Sequence, residues 1–224
     1  MIAIYLPGIK LIHKKIINEC SFFYICNSMR VKDENKKECL RLKTIEIVVK
    51  EGFDGLSMPK LAKAAGVSPA TIYIHFKDRE DLVKSISIDI STKMFEHSLK
   101  GFDPDMPFAE GLKIQWKNRA AFFLKYPIEM QFIEQVRYSP VYDKVKEELA
   151  NRFSEVMGKF VNNAIRRKEL VKLPFEVYWS IAFAPLYQLI KFHMQGKSYA
   201  NKEFSINNKI MNQALELVLK ALKP

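Results

Sequence analysis

The chain has 224 residues, 48% of them hydrophobic, which is enough to bury a proper core in one or two domains. Its formal charge of +11 is spread along the chain, with 17 Lys and Arg against 12 Asp and Glu in residues 1–100 and 19 against 13 in residues 101–224, so basicity is compatible with nucleic acid without locating a binding face. Three cysteines, Cys20, Cys26 and Cys39, lack metal or disulfide spacing, which leaves no readable zinc site and makes a reducing cytoplasm the expected compartment.

Residues 1–28 read poorly as structure, because Pro7-Gly8 breaks the stretch and Lys10, Lys14 and Lys15 interrupt its apolar residues. It has neither the clean apolar core and small-residue cleavage site of a secretory signal nor the ~20 apolar residues of a membrane span. Translation is expected to begin at Met29, and a flexible or surface-docked arm is the other reading. From Asp33 to Lys50 the spacing of Cys39, Leu42, Ile45, Val48 and Val49 predicts a helix, with Gly52 just past its end. Phe53 and Leu56 then cover its base from a turn containing Asp54-Gly55.

Ser57 to Leu82 spells two short helices and a tight turn. Ser57 is an N-cap and Pro59 sits in the first turn, where the leading backbone N–H groups have no intrahelical partner. Gly66 ends that helix, and Ser68 followed by Pro69 starts the next after a turn of about three residues, the layout of a helix-turn-helix. Ile72 and Phe76 point inward one turn apart. That leaves an outward face with small residues at its start, then Tyr73, His75 and two cations, Lys77 and Arg79. Small leading residues let a helix approach base edges, while Tyr, Lys and Arg reach phosphates. The residues expected at DNA are Ser57, Lys60, Ser68, Pro69, Ala70, Thr71, Tyr73, Ile74, His75, Lys77 and Arg79.

Leu61-Ala62, Ala65-Gly66-Val67-Ser68, Thr71-Ile72-Tyr73, His75-Phe76-Lys77 and Glu80-Asp81-Leu82 resemble the DNA-binding signature of the TetR/AcrR family of transcriptional regulators, and the likeness reaches upstream through Gly52-Phe53 and Leu56-Ser57-Met58. The resemblance implies a three-helix DNA-binding head at 33–93, a helical ligand-binding and dimerisation domain at 101–224, and no cofactor. Its expected partners are a double-stranded DNA operator, a small-molecule effector and a second copy of the chain.

Asp78 is an expected N-cap, and Leu82, Ile86, Ile90 and Met94 mark one side of a helix running to about Lys100. After a break at 101–107, helical patterns cover 108–126, 127–138, 140–168, 174–195 and 205–223, with Pro185 expected to kink the fourth. No period-two pattern occurs, so the fold is all-α with about nine helices. Aromatic residues are dense beyond Lys100, and each is either core packing or part of a ligand cavity between helices. The ligand-binding candidates are Phe95, Trp116, Arg119, Phe123, Phe153, Trp179, Phe183 and Tyr187. The last two helices carry broad apolar faces, and Ile181, Leu189, Ile210, Ala214, Leu217 and Val218 are the residues expected to pair with a symmetry mate. Histidines at 13, 75, 97 and 193 have no metal-ligand spacing, and no phosphate loop, nucleophile elbow or carboxylate pair stands out. The expected function is a ligand-released repressor on a palindromic operator, not an enzyme. The alternative is a helical scaffold with a degenerate head.

Overall fold

A computed structural model describes residues 29–200 and 202–224. The expectations for residues 1–28, Cys20 and Cys26 included, lie outside the described residues. Ten α-helices and one 3-10 turn make up the described chain, with a single isolated bridge between Lys197 and Glu203. None of these helices is long and apolar enough to cross a membrane.

Helix α1, Met29–Glu51, begins before the expected Asp33 and buries Leu40, Thr44 and Val48 one turn apart. The buried Thr44 hydroxyl donates back to the Leu40 carbonyl at 2.8 Å, so it needs no outside partner. Gly52 ends the helix at φ 79°, and the turn Phe53–Gly55 leads to the buried Leu56. Three helices follow: α2, Met58–Ala65; α3, Pro69–His75; and α4, Arg79–Ser98. The remainder is α5, Phe108–Lys125; α6, Pro127–Val136; α7, Tyr142–Arg166; α8, Phe175–Ala182; α9, Ala184–Gln195; and α10, Asn208–Leu222.

The count exceeds the expected nine because residues 174–195 form two helices, not one kinked one. Pro185 has no N–H to donate and its ring crowds the preceding turn, so the chain leaves helical geometry at Phe183, at φ −127°, and starts again with proline in the new first turn.

The chain divides into two compact units, the first running to Ser91 and taking in Ile128–Glu148, the second comprising Thr92–Pro127 and Leu149–Pro224. The sequence had placed everything after Gly101 in one domain, whereas α6 and the start of α7 pack in the first unit. Phe132, Val136 and Val141 are buried there, and Lys144 pairs with Glu80 and Lys84 with Glu148, each at 2.7 Å. Leu40, Leu56, Leu61, Ile72 and Leu82 are fully buried, and each such side chain contributes about 1.5–3 kcal/mol.

In the second unit α5 buries Phe108, Leu112, Trp116 and Ala120, one per turn, and shares a core with Phe160 and Ala164 of α7 and residues of α8, α9 and α10. Gly111 admits the Phe160 ring, since a Cβ there would lie 2.5 Å from it. The approach to α5 is pinned from the far end of α7. Asp105 accepts from Lys159 at 2.7 Å and from Asn163 at 2.6 Å, and Glu169 accepts from the Phe108 N–H at 2.8 Å, capping a helix whose N-cap, Pro107, has no side-chain acceptor.

Candidate nucleic-acid interface

The interface is built from two capped helices. Ser57 Oγ accepts from the Lys60 N–H at 3.4 Å, starting α2, and Gly66 ends it in the left-handed region at φ 67°. The Val67 N–H then donates to the Ala62 carbonyl at 3.0 Å, closing the turn. Ser68 Oγ accepts from the Thr71 N–H at 3.3 Å and lies 3.0 Å from the Thr71 hydroxyl, so α3 starts with both small hydroxyls engaged in its own cap. Ile72 and Phe76 are buried and anchor the helix. What remains outward is Pro69, Ala70, Tyr73, Ile74 and Lys77, with Tyr73 55% and Ile74 76% exposed.

Four expected contact residues are placed differently. His75 is half-buried, its ring 6.3 Å from that of Phe76, so it does not lie on the open face. Lys60 turns back to pair with Glu51 and donates to the Gly55 carbonyl at 3.1 Å, tying α2 to the end of α1. Thr71 is half-buried within the cap. Arg79 lays its guanidinium 4.3 Å from the Phe53 ring centroid and donates to the Leu56 carbonyl at 3.2 Å. Arg79 and Lys60 therefore hold the start of α4 and of α2 against the turn after α1. No spacing rule announces the Arg79–Phe53 contact, because the two lie on separate elements.

Asp78 caps α4 as expected, accepting from the Asp81 N–H at 2.8 Å. Asp81 in turn accepts from the Lys77 N–H at 3.0 Å, so the backbone of Lys77 is fixed while its side chain stays exposed. This positioning role of Asp81 was missed in the sequence, although an acidic pair in a first turn is its signature.

Residues 43–86, the whole of this capped arrangement with the last turns of α1, match the model of the bacterial regulatory proteins of the tetR family. In this segment the chain is similar to that family. It is 30% identical over 108 residues to an uncharacterised helix-turn-helix transcriptional regulator of Haemophilus influenzae, a match covering 48% of this chain and 58% of that protein. The chain thus spans little more than half the length of that relative. The fold is similar to a TetR-family transcription regulator of Marinobacter aquaeolei VT8, with a TM-score of 0.75 at 24% identity over 87% of this chain and 99% of that one. It is similar also to a TetR-family protein of Vibrio parahaemolyticus, with a TM-score of 0.69 at 23% identity over 84% and 99%.

All eight ligand candidates lie in the second unit, and six of them gather around Arg119 and Phe183. Arg119 is 2% exposed, donates to the Tyr187 hydroxyl at 2.9 Å, and lies 4.6 Å from the Phe183 ring centroid and 5.5 Å from that of Trp179. Phe123 meets Tyr187 at 5.2 Å, and the Trp116 indole N–H donates to the Ala182 carbonyl at 2.7 Å. Phe95 and Phe153 instead pair with each other at 4.1 Å. Gln115, whose face on the helix the sequence left undecided, is fully buried one turn before Arg119.

The expected dimer face is corrected at Val218. That side chain is 5% exposed and belongs to the core, because α10 turns Leu215, Val218 and Leu222 inward. Its neighbour Leu217 is 61% exposed, and Phe175 and Val177 on α8 are exposed as well. Ile181, Leu189, Ile210 and Ala214 are half-buried. Among the described residues no group of His, Cys, Asp or Glu is arranged to hold a metal ion.

Proposed function

We propose that the protein is a dimeric transcriptional repressor whose α3 enters the major groove of a roughly palindromic operator, and that an apolar or aromatic small molecule bound by the second unit releases it. The observation that carries the reading is the open face of α3: Ala70 at its start, then Tyr73, Ile74 and Lys77, on a helix capped at both ends and anchored by Ile72 and Phe76. Ala70 lets the backbone approach base edges, Ile74 offers an apolar surface to a thymine methyl, and Tyr73 and Lys77 reach phosphates.

Exposed Leu217, Phe175 and Val177 support pairing through α8 and α10, and a twofold dimer reads two half-sites about one helical turn apart. Release is coupled to the ligand through α4, whose residues belong to both units. A coupling of ~1–3 kcal/mol changes DNA affinity by roughly 5- to 150-fold, and linkage requires DNA to weaken the ligand equally.

The test is selection of duplexes from fragmented genomic DNA, followed by anisotropy titration of a selected duplex at two salt concentrations. Affinity is expected to fall steeply with salt. Absence of any selected sequence, with binding indifferent to salt, would favour a scaffold with a degenerate head.

A further inference from the structure

Arg119 is a buried cation that pairs with no carboxylate among the described residues. It is 2% exposed, Nη1 donates only to the neutral hydroxyl of Tyr187, and Nε is buried with no hydrogen-bond partner. Its faces are against Phe183 and Trp179, which attract a cation without neutralising it. One turn earlier on the same face of α5, Gln115 is fully buried with both its amide nitrogen and its amide oxygen unpartnered. Tyr178, within reach of the Arg119 charge, is buried with an unpartnered hydroxyl. Burial pushes that phenol well above its ordinary pKa, with the Arg119 charge acting against it, so it remains an O–H donor at neutral pH.

The open hydrogen-bonding capacity of this cluster is therefore one-sided. A guanidinium N–H, an amide NH2 and a phenol O–H seek acceptors, while only the Gln115 carbonyl and the Tyr178 oxygen accept in return, so donors outnumber acceptors and the one charge is a donor's. Water could satisfy the N–H and O–H groups but not the charge, and a methionine or leucine at 119 would fill the same space without that cost. A group that accepts hydrogen bonds without donating any, and carries one negative charge, answers both deficits.

Resting on the ligand-released reading above, we propose that the second unit binds a monocarboxylate with an apolar or aromatic body, its carboxylate taken by Arg119 with Gln115 and its body lying along Trp179, Phe183 and Phe123. One buried cation balances one negative charge, whereas a phosphate dianion would leave a second charge unmatched in a low-dielectric interior.

The experiment is isothermal calorimetry on the full chain with 4-phenylbutyrate and dodecanoate, each against the alcohol of the same skeleton. The acid is expected to bind roughly tenfold or more tightly than its alcohol, because a charge-assisted pair is lost in the alcohol. Arg119→Met is expected to abolish that preference while leaving alcohol binding within about threefold, and Gln115→Leu, an independent variant, to reduce it. Equal affinity of acid and alcohol, a preference that survives Arg119→Met, or no binding of either acid would overturn the proposal and assign the cluster to internal water. DNA release is followed separately by anisotropy. Acid binding without release refutes the ligand-released reading alone, and release by the alcohols only refutes the carboxylate alone.

Discussion

The guanidinium of Arg79 lies 4.3 Å from the ring centroid of Phe53 and is further held by the Leu56 carbonyl. An arginine at the end of a recognition helix is ordinarily a phosphate contact, but here its charge is stacked and its N–H engaged. Arg79→Lys loses the planar stack and is expected to destabilise the protein by about 1 kcal/mol, with a loss of DNA affinity whose salt dependence matches the parent. A shallower salt slope would return Arg79 to the phosphate contacts.

Lys77 is the opposite case, fixed at its backbone by Asp81 and exposed at its side chain. Lys77→Ala is expected to weaken all duplexes alike and to shallow the slope of log affinity against log salt by about one unit. Ile74→Ala is expected to leave the slope alone and relax preference at one base pair, by roughly 1 kcal/mol.

Leu217 and Val218 are adjacent, yet one is 61% and the other 5% exposed. Leu217→Glu is expected to keep the fold and shift sedimentation toward monomer. Val218→Glu buries a charge in the core and is expected to unfold the second unit, by several kcal/mol. A Leu217→Glu protein that stays dimeric would move the interface off α10.

Asp105 is held below the ordinary carboxylate range by its hydrogen bond from Lys159, aided by the Lys159 charge, Asn163 and Arg167 and opposed by desolvation. A depressed folded-state pKa adds stability that is present above the unfolded value, about 3.9, and is lost as pH falls through the lower folded value. Asp105→Asn should therefore be less stable than the parent in urea melts at about pH 6, with the gap narrowing at about pH 3. A gap of constant size would make the side chain a plain hydrogen-bond acceptor.

The capped helices were legible because caps are local. Ser57, Gly66, Ser68, Pro69 and Asp78 each act within a turn of their own position, and the structure places each at a helix end. The break at Phe183 was half legible: Pro185 announces a disturbance, but whether a helix bends or stops depends on what the freed groups find nearby. The engagement of Lys60 and Arg79 was hidden, since a cation next to a DNA-facing helix reads the same whether it meets a phosphate or a ring from another element. Val218 was misjudged for a related reason: on a helix with two apolar sides, spacing alone does not say which side faces its own core.

The chain has two tryptophans, and both Trp116 and Trp179 sit in the second unit, around Phe183 and Ala182. Indole emission is consequently a private signal of that unit, blind to α1 through α3, whereas helical circular dichroism registers every turn. If the units melt together, the two signals trace one curve; if the first unit opens earlier, ellipticity falls while emission holds, and a single melting temperature ceases to describe the molecule.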